Sequence, residues 1–257
     1  MYSMYNQQRT GLQSKFEQFT SYIELTTSQK EKIISSHTHL RQTNLQPLFY
    51  VKESFLIGSY KKNTMIRPPS DVDAFLVIDK DRYSITPNAV LNQLKRDLNN
   101  SYPNSKIRQD KPCVTLDFKH CKIELTPAIM AGFSKEQGFY IPKPGGNEWM
   151  FTEDPKKQEN MLSQANSRIN GKLTPLIKMI KVCKKFNKIN DIKSHEIEDI
   201  AIRNIYSISN YRDGIQKFLR ALGWTVRGTS YYELEALTDH EFAKICRSSI
   251  FGTDFPE

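Results

Sequence analysis

Residues 58–79 read GSYKKNTMIRPPSDVDAFLVID. Two aspartates, Asp71 and Asp73, open directly onto five apolar residues, Ala74 to Ile78. A solvated acidic turn rarely leads into such a run, whereas a buried strand is built from one. On a strand, residues two apart share a face, so Asp71 and Asp73 project together from the mouth of the strand. Carboxylates beside a core cost free energy unless a charge compensates them, and their mutual repulsion raises a pKa unless a cation lies between them. Mg²⁺ fits this demand, with Mn²⁺ as a substitute: it is hard, takes oxygen ligands and commonly uses one or two carboxylates plus substrate phosphates. Two such ions can clamp the attacking and leaving oxygens of a phosphoryl displacement. Upstream, Gly58 permits close approach to the backbone, and Ser59 with the amides after it can cradle a phosphate where a helix starts. Taken singly, D-x-D reads as a solvated turn and Gly-Ser as an ordinary one. In this order, with Lys61, Lys62, Asn63 and Thr64 between them, they read as one phosphate-and-metal unit.

Composition sets the bounds. At 257 residues, with 38% hydrophobic and 11% aromatic residues, the chain forms one large domain or two packed lobes with a real core. The formal net charge of +9 favours an anionic partner: nucleotide phosphates, nucleic acid or a membrane surface. Cys113, Cys121, Cys183 and Cys246 form no CxxC pair, so four reduced thiols are expected rather than a disulfide framework or a zinc site. The start, MYSMYNQQRT, lacks the apolar core of a signal peptide. Apolar runs of about five residues are far short of a membrane span. A soluble, cytoplasmic protein with no membrane partner is the expectation.

Along the chain, residues 9–44 read as two helices, the second with Ser28 and Glu31 at capping-box spacing. Between about 50 and 130, the runs SFLIGS, DAFLVID, CVTLDF and KIELTPAIM read as strands, with a helix near 87–99. Residues 132–156, rich in Gly and Pro, read as a loop-rich connection. The remainder reads as helical. The division predicted is 1–44, bracing helices; 45–156, a sheet lobe carrying the acidic unit; and 157–257, a helical lobe. The fold class is α+β, two-lobed, with a ligand cleft expected between the lobes. On a helical wheel, Lys178, Lys181, Lys184, Lys185 and Lys188 fall in one arc, opposite Met179, Ile180, Val182, Cys183, Phe186 and Ile189. That pattern predicts a surface helix with a solvated lysine face, at least for Lys184 and Lys188.

G-S-x-x-x-x-T followed by D-x-D and an apolar strand resembles the nucleotidyltransferase superfamily of DNA polymerase β. KIELTPAIM resembles the third-carboxylate strand of template-independent oligonucleotide synthetases. GFYIP, NEWMFTEDP, ENMLSQAN, LTPLIKMIKVCKK and IKSHEIEDIA resemble the downstream blocks of the bacterial CD-NTases (the SMODS domain), relatives of cyclic GMP–AMP synthase and oligoadenylate synthase. The resemblance runs in order from about residue 50 to about 220. It implies a polymerase-β-like nucleotidyltransferase lobe with a mixed sheet, plus a C-terminal helical lobe. It implies Asp71, Asp73 and Glu124 as catalytic residues holding two Mg²⁺ ions, and Gly58, Ser59, Lys181 and Ser194 as phosphate contacts. His195 occupies a place where relatives stack an aromatic on the base. The implied activity joins NTPs, ATP or another, into a cyclic di- or trinucleotide second messenger for anti-phage (CBASS) signalling, read by a separate effector.

Two departures from the family pattern bear on the site. Lys-Lys-Asn-Thr stands where Arg/Lys-Gly-Thr is usual; Asn63 can take the left-handed conformation at modest cost. Glu124 stands where Asp is usual, and Asp117 in VTLDF is its rival. Three alternatives stay open: another transferase of the superfamily acting on RNA, protein or a drug; a nucleotide- or RNA-binding homologue without activity; and simple basic RNA binding. The lysine helix lacks interleaved aromatics, which weighs against simple RNA binding, and no sequence-specific nucleic-acid recognition is expected.

Overall fold

The computed structural model describes residues 2–79, 81, 86–110, 112–132, 138–224 and 231–257, without the side chains of residues 2–10, Tyr231 and Tyr232. The chain divides into two units, one of residues 25–65 and 69–159, the other of residues 1–24, 66–68 and 160–257.

The first unit is built on a seven-stranded mixed sheet. Its strands are β1 (Val51–Leu56), β2 (Asp71–Ile78), β3 (Ile107–Asp110), β4 (Cys113–Asp117), β5 (Lys122–Met130), β6 (Gly138–Pro142) and β7 (Trp149–Glu153). The order is β1-β2-β5-β4-β3, with β6 on the far end of β5 and β7 on β6. Only β2 and β5 run parallel. A parallel neighbour needs a long crossover, which the chain supplies with α4 (Pro87–Ser101) and the β3–β4 hairpin.

The apolar run after Asp73 is buried on both faces, as a central strand requires. Val72, Ala74, Leu76 and Ile78 pack in one core with Ile33 of α2 (Thr27–His39) and with Val90, Leu91, Leu94 and Leu98 of α4. Phe75 and Val77 face the other way, onto Ala128 and Phe139. Thr86 caps α4 by accepting from the Ala89 amide, and Pro87 occupies its first turn. The capping box of α2 lies earlier than the sequence spacing suggested. Thr26, not Ser28, is the cap, and its partner is Gln29, because Thr26 is the last extended residue while Ser28 is already inside the helix.

The Gly- and Pro-rich segment expected to be loop contains the β6–β7 hairpin. Gly138 is needed there for packing: a Cβ would lie 2.4 Å from the Thr152 carbonyl and 2.7 Å from the Phe151 ring. Pro142 sits at the strand end, where a missing amide costs least.

The second unit is helical: α1 (Tyr2–Ile23), most of α5 (Pro155–Arg168), α6 (Leu173–Phe186), α7 (Ser194–Asn204), α8 (Tyr211–Leu222), α9 (Tyr231–Ala236) and α10 (Asp239–Ile245). The α3 element (Gly58–Lys61) belongs to the sheet unit. The two N-terminal helices thus divide, one to each unit. Phe16 and Phe19 of α1 stack with Phe251 and Phe255, with Phe19–Phe251 centroids 4.7 Å apart. Among the described residues no helix is long and apolar enough to cross a membrane.

Helix α6 departs from the solvated lysine face. From Leu173 to Cys183 every residue except Pro175 is buried, including Lys178 and Lys181, whereas Lys185 and Lys188 are exposed. Buried ammonium groups persist only when paired, and both are. Lys178 Nζ donates to Glu24 Oε1 at 2.7 Å, and Lys181 Nζ to Glu198 Oε1 at 2.7 Å.

The two pairs differ in what is left when the lysine is removed. Glu24 is 34% exposed and Glu198 only 2%. Lys181→Met is therefore expected to lower stability by about 3–5 kcal/mol, since it strands a buried carboxylate, and Lys178→Met by much less. Urea unfolding followed by circular dichroism orders the two; equal losses would show that solvent access to the abandoned carboxylate does not set the cost.

Candidate active site

The parallel pairing of β2 with β5 sets Asp71 opposite Lys122 and Asp73 opposite Glu124. On the other side of β5, Asp117 pairs with Lys122 and Thr115 with Glu124. In-register partners point to the same side of a sheet, so two transverse rows result. The outer row is Asp117, Lys122 and Asp71, alternating in sign, with Lys122 Nζ 3.7 Å from Asp71 Oδ1. The inner row is Thr115, Glu124 and Asp73. Arg108 Nη2 engages Asp117 at 3.2 Å, so Asp117 is matched by cations and sits one row away from Asp73. Glu124 has Asp73 as its direct neighbour.

The inner row is electrostatically unfavourable as it stands. Burial pushes Asp73 up to about 6, and the charges of Glu124 and Asp71 add to the rise against a smaller opposing effect of Lys62. Glu124 is raised too, by its own burial and then by Asp71. Two raised carboxylates on one face mark a place built for a positive guest.

Gly58 closes the site from the next strand connection. The Ile57 amide donates to the Asp73 carbonyl at 2.9 Å, and α3 starts at Gly58. Gly58 has φ +67°, and a Cβ on it would fall 2.1 Å from Asp73 Oδ2. No side chain fits that position. Ser59 lies in the same helical turn, and its carbonyl accepts from the Thr64 amide at 2.8 Å and the Met65 amide at 3.1 Å, folding the basic loop back. Asn63 takes the left-handed conformation expected of it, φ 54°. Lys62 Nζ donates to Gln158 Oε1 at 2.9 Å. The structure thus brings together Gly58, Ser59, Asp71, Asp73 and Glu124.

Lys181, Ser194 and His195 belong to the helical unit. Lys181 is held by Glu198, as above. Ser194 and His195 are exposed at the first turn of α7, where the Lys193 amide donates to the Glu196 carboxylate. Sequence reasoning passed over Lys122 and Thr115, the one beside Asp71 and the other the in-register neighbour of Glu124. Only the two-residue spacing of Lys122 from Glu124 was available as a signal.

All four cysteines are free and buried. Among the described residues no group of three or more His, Cys, Asp or Glu side chains is arranged so that it could hold a metal ion by itself. Asp71, Asp73 and Glu124 lie on one face across the two rows. Their donor set is all-oxygen, Lys122 stands beside Asp71, and the space a Gly58 side chain would fill is kept clear. These features fit a hard divalent ion shared with a ligand oxygen.

Residues 11–166 match the Second Messenger Oligonucleotide or Dinucleotide Synthetase domain, SMODS. The chain belongs to the SMODS family. Members of this family generally use divalent metals. A curated relative, the cyclic AMP-AMP-AMP synthase of an Acinetobacter strain, is 27% identical over 193 residues, 70% of this chain and 54% of the relative. The chain therefore spans only about half of that protein. A probable cyclic nucleotide synthase of Bacillus cereus is 23% identical over 83% of this chain and 85% of its own. Among solved structures, CdnC of E. coli MS115-1, in complex with HORMA-deltaN, superposes with a TM-score of 0.72 at 15% identity, over 95% of this chain and 98% of its own. The Rhodothermus marinus CdnE c-UMP-AMP synthase, bound to Apcpp and Upnpp, gives 0.63 at 20% identity over 82% of each chain. These likenesses carry the expected fold, a polymerase-β-like α+β architecture.

A carboxyl group raised in the folded state binds its proton more tightly there than in the unfolded chain. The cation-free protein therefore loses stability as pH rises from about 4 through about 6, where Asp73 ionises in the fold. Asp73→Asn removes this dependence and stabilises the cation-free form at pH 7, by on the order of 2 kcal/mol. Urea unfolding in EDTA at several pH values between 4 and 7 measures it; a parallel pH profile for parent and variant would show that Asp73 carries no such penalty.

Proposed function

We propose that this chain is a nucleotidyltransferase that joins NTPs into a cyclic di- or trinucleotide second messenger, with Asp71, Asp73 and Glu124 as its catalytic carboxylates. The observation that carries the reading is the in-register pair Asp73–Glu124, with Asp71 on the same face and Gly58 leaving the space beside Asp73 clear, in a chain of the SMODS family. Adenosine nucleotides recur among the relatives: a cyclic AMP-AMP-AMP synthase, a c-UMP-AMP synthase and a CdnC solved with ATP. ATP is accordingly proposed as a substrate.

In this reading Asp71 and Asp73 hold two Mg²⁺ ions with the triphosphate, and Glu124 completes the position of the attacking ribose hydroxyl. When bound, the ions neutralise phosphate charge and acidify that hydroxyl. Glu124, one methylene longer than the usual aspartate, reaches from the neighbouring strand and accepts the hydroxyl proton. The hydroxyl oxygen then bonds to the α-phosphorus as pyrophosphate departs. Gly58 and the amides of the turn after it bind phosphate oxygens, which need backbone access rather than a side chain. Ser59, Lys181 and Ser194 are proposed as further phosphate contacts and His195 as the base platform. Buried free thiols suit a reducing compartment, the cytoplasm, and the product would act on a separate effector in anti-phage signalling.

The test is incubation of the purified protein with all four NTPs and Mg²⁺, with pyrophosphate release and mass spectrometry of the products as readouts. Asp71→Asn, Asp73→Asn and Glu124→Gln should each lower turnover by at least thirtyfold, the equivalent of about 2 kcal/mol in the barrier, while Asp117→Asn stays within about threefold, being paired with Arg108 and not adjacent to Asp73. More than a tenth of the parent rate in an Asp73 variant, or a larger loss at Asp117 than at Glu124, would overturn the assignment. A linear product on an added acceptor would replace cyclisation with transfer to RNA or protein.

His195 has a separate test. Stacking on a base is worth ~1 kcal/mol for an imidazole, at the low end for aromatic side chains. His195→Ala should then weaken NTP binding about fivefold, and His195→Tyr should match or exceed the parent, as read by titration calorimetry. Parent-like binding in His195→Ala makes the side chain dispensable to the nucleotide.

A further inference from the structure

The face that carries the acids also carries a lysine between two of them. Lys122 opens β5, in register with Asp71 of β2 on one side and with Asp117 of β4 on the other. Neighbouring strands lie about 4.8 Å apart, so a lysine side chain has either carboxylate within reach. It takes Asp71, with Nζ 3.7 Å from Oδ1. Asp117 already has a partner in Arg108, 3.2 Å away, whereas Asp71 shares its face with Asp73 and Glu124. The negative potential is therefore steeper on the Asp71 side, and the ammonium lies there. Both members of the pair are half exposed, Lys122 at 48% and Asp71 at 46%. An exposed pair of this kind is weak, so it is made and given up at little cost.

We infer that Lys122 is a positioning residue for Asp71: before an ion binds, its ammonium stands in for the divalent cation, holding the Asp71 carboxylate on the shared face, and it yields that carboxylate when the ion arrives. The inference rests on the proposed reading of Asp71, Asp73 and Glu124 as cation ligands. Like charges on one face repel, and Asp71, half exposed, has solvent to turn toward. Lys122 opposes that turn with a single positive charge. An ammonium of charge one does not match a hard ion of charge two that draws on several oxygens at once, so the ion wins the exchange. The exchange still has a cost, because the ion breaks the pair and then lies close to a like charge. The affinity for a bare ion is thereby set below what the three acids alone would give. Removing Lys122 should therefore strengthen ion binding, the opposite of what loss of a supporting contact does.

The probe is Mn²⁺ alone, its free concentration followed by electron paramagnetic resonance as the nucleotide-free protein is titrated at low ionic strength. Lys122→Ala is expected to tighten Mn²⁺ binding about three- to fivefold, the upper range for an exposed ion pair, and Lys122→Arg, which keeps the charge, to remain within about twofold of the parent. Lys119, exposed in the connection from β4 to β5, is the control: Lys119→Ala removes the same charge away from Asp71 and should also stay within about twofold. Raising the salt concentration from about 0.05 to 0.5 M should shrink the gain in Lys122→Ala, since exposed charges are screened. An alanine variant that binds Mn²⁺ no more tightly than the parent, an arginine variant as tight as alanine, or an equal gain in Lys119→Ala would overturn the inference while leaving the carboxylate site intact. A parent that binds Mn²⁺ no better than Asp73→Asn would remove the cation site itself, and the role of Lys122 with it.

Discussion

The parallel pairing of β2 and β5 is the constraint on which this site depends. It places two acids of one strand and one of the next on a single face, where Asp73 and Glu124 are raised by burial first and by neighbouring carboxylates second. Such a face is stable only because the strands behind it are well anchored. Val72, Ala74 and Leu76 are entirely buried against the helices on the opposite side. The hydrophobic core under the row therefore sustains the local repulsion above it. The same register puts Asp117 out of the inner row, where it pairs with Arg108. Identity of charge is not enough; position by one pair of residues separates a compensated acid from an uncompensated one.

The helical unit treats charge differently. Lys178 and Lys181 are buried, but each meets a carboxylate at 2.7 Å, so α6 can be enclosed on nearly all sides without losing its cationic residues. Net charge of +9 therefore overstates the positive surface that α6 offers to an anion. What remains exposed is concentrated around Lys185 and Lys188, near the end of that helix and after it.

Local patterns carried much of this organisation. Asp71 and Asp73 could be read because their spacing and the apolar run behind them report strand, face and burial at once. Gly58 and Asn63 could be read because positive φ restricts which residues serve. The helix expected near 87–99 is present as α4. What escaped depended on partners distant in the chain. A helical wheel puts five lysines in one arc and cannot show that Glu24 and Glu198 will meet two of them. The β6–β7 hairpin escaped because its glycines and prolines, normally loop punctuation, occupy a strand where a Cβ does not fit and a strand end where an amide is not needed. Lys181, Ser194 and His195 came from family resemblance, which supplies roles without supplying geometry.

The β2–β5 pairing also has a consequence for how the protein reaches its native state. Asp73 and Glu124 lie on opposite sides of α4 and the β3–β4 hairpin in the chain, so their encounter must wait for a non-local closure, the slow kind of folding event. Asp71 and Asp73 are synthesised well before their partner. A nascent or partly folded chain thus carries the aspartates but not the face on which Glu124 joins them. That face arrives late and cooperatively, with the completed sheet, and a chain released before β5 cannot assemble it.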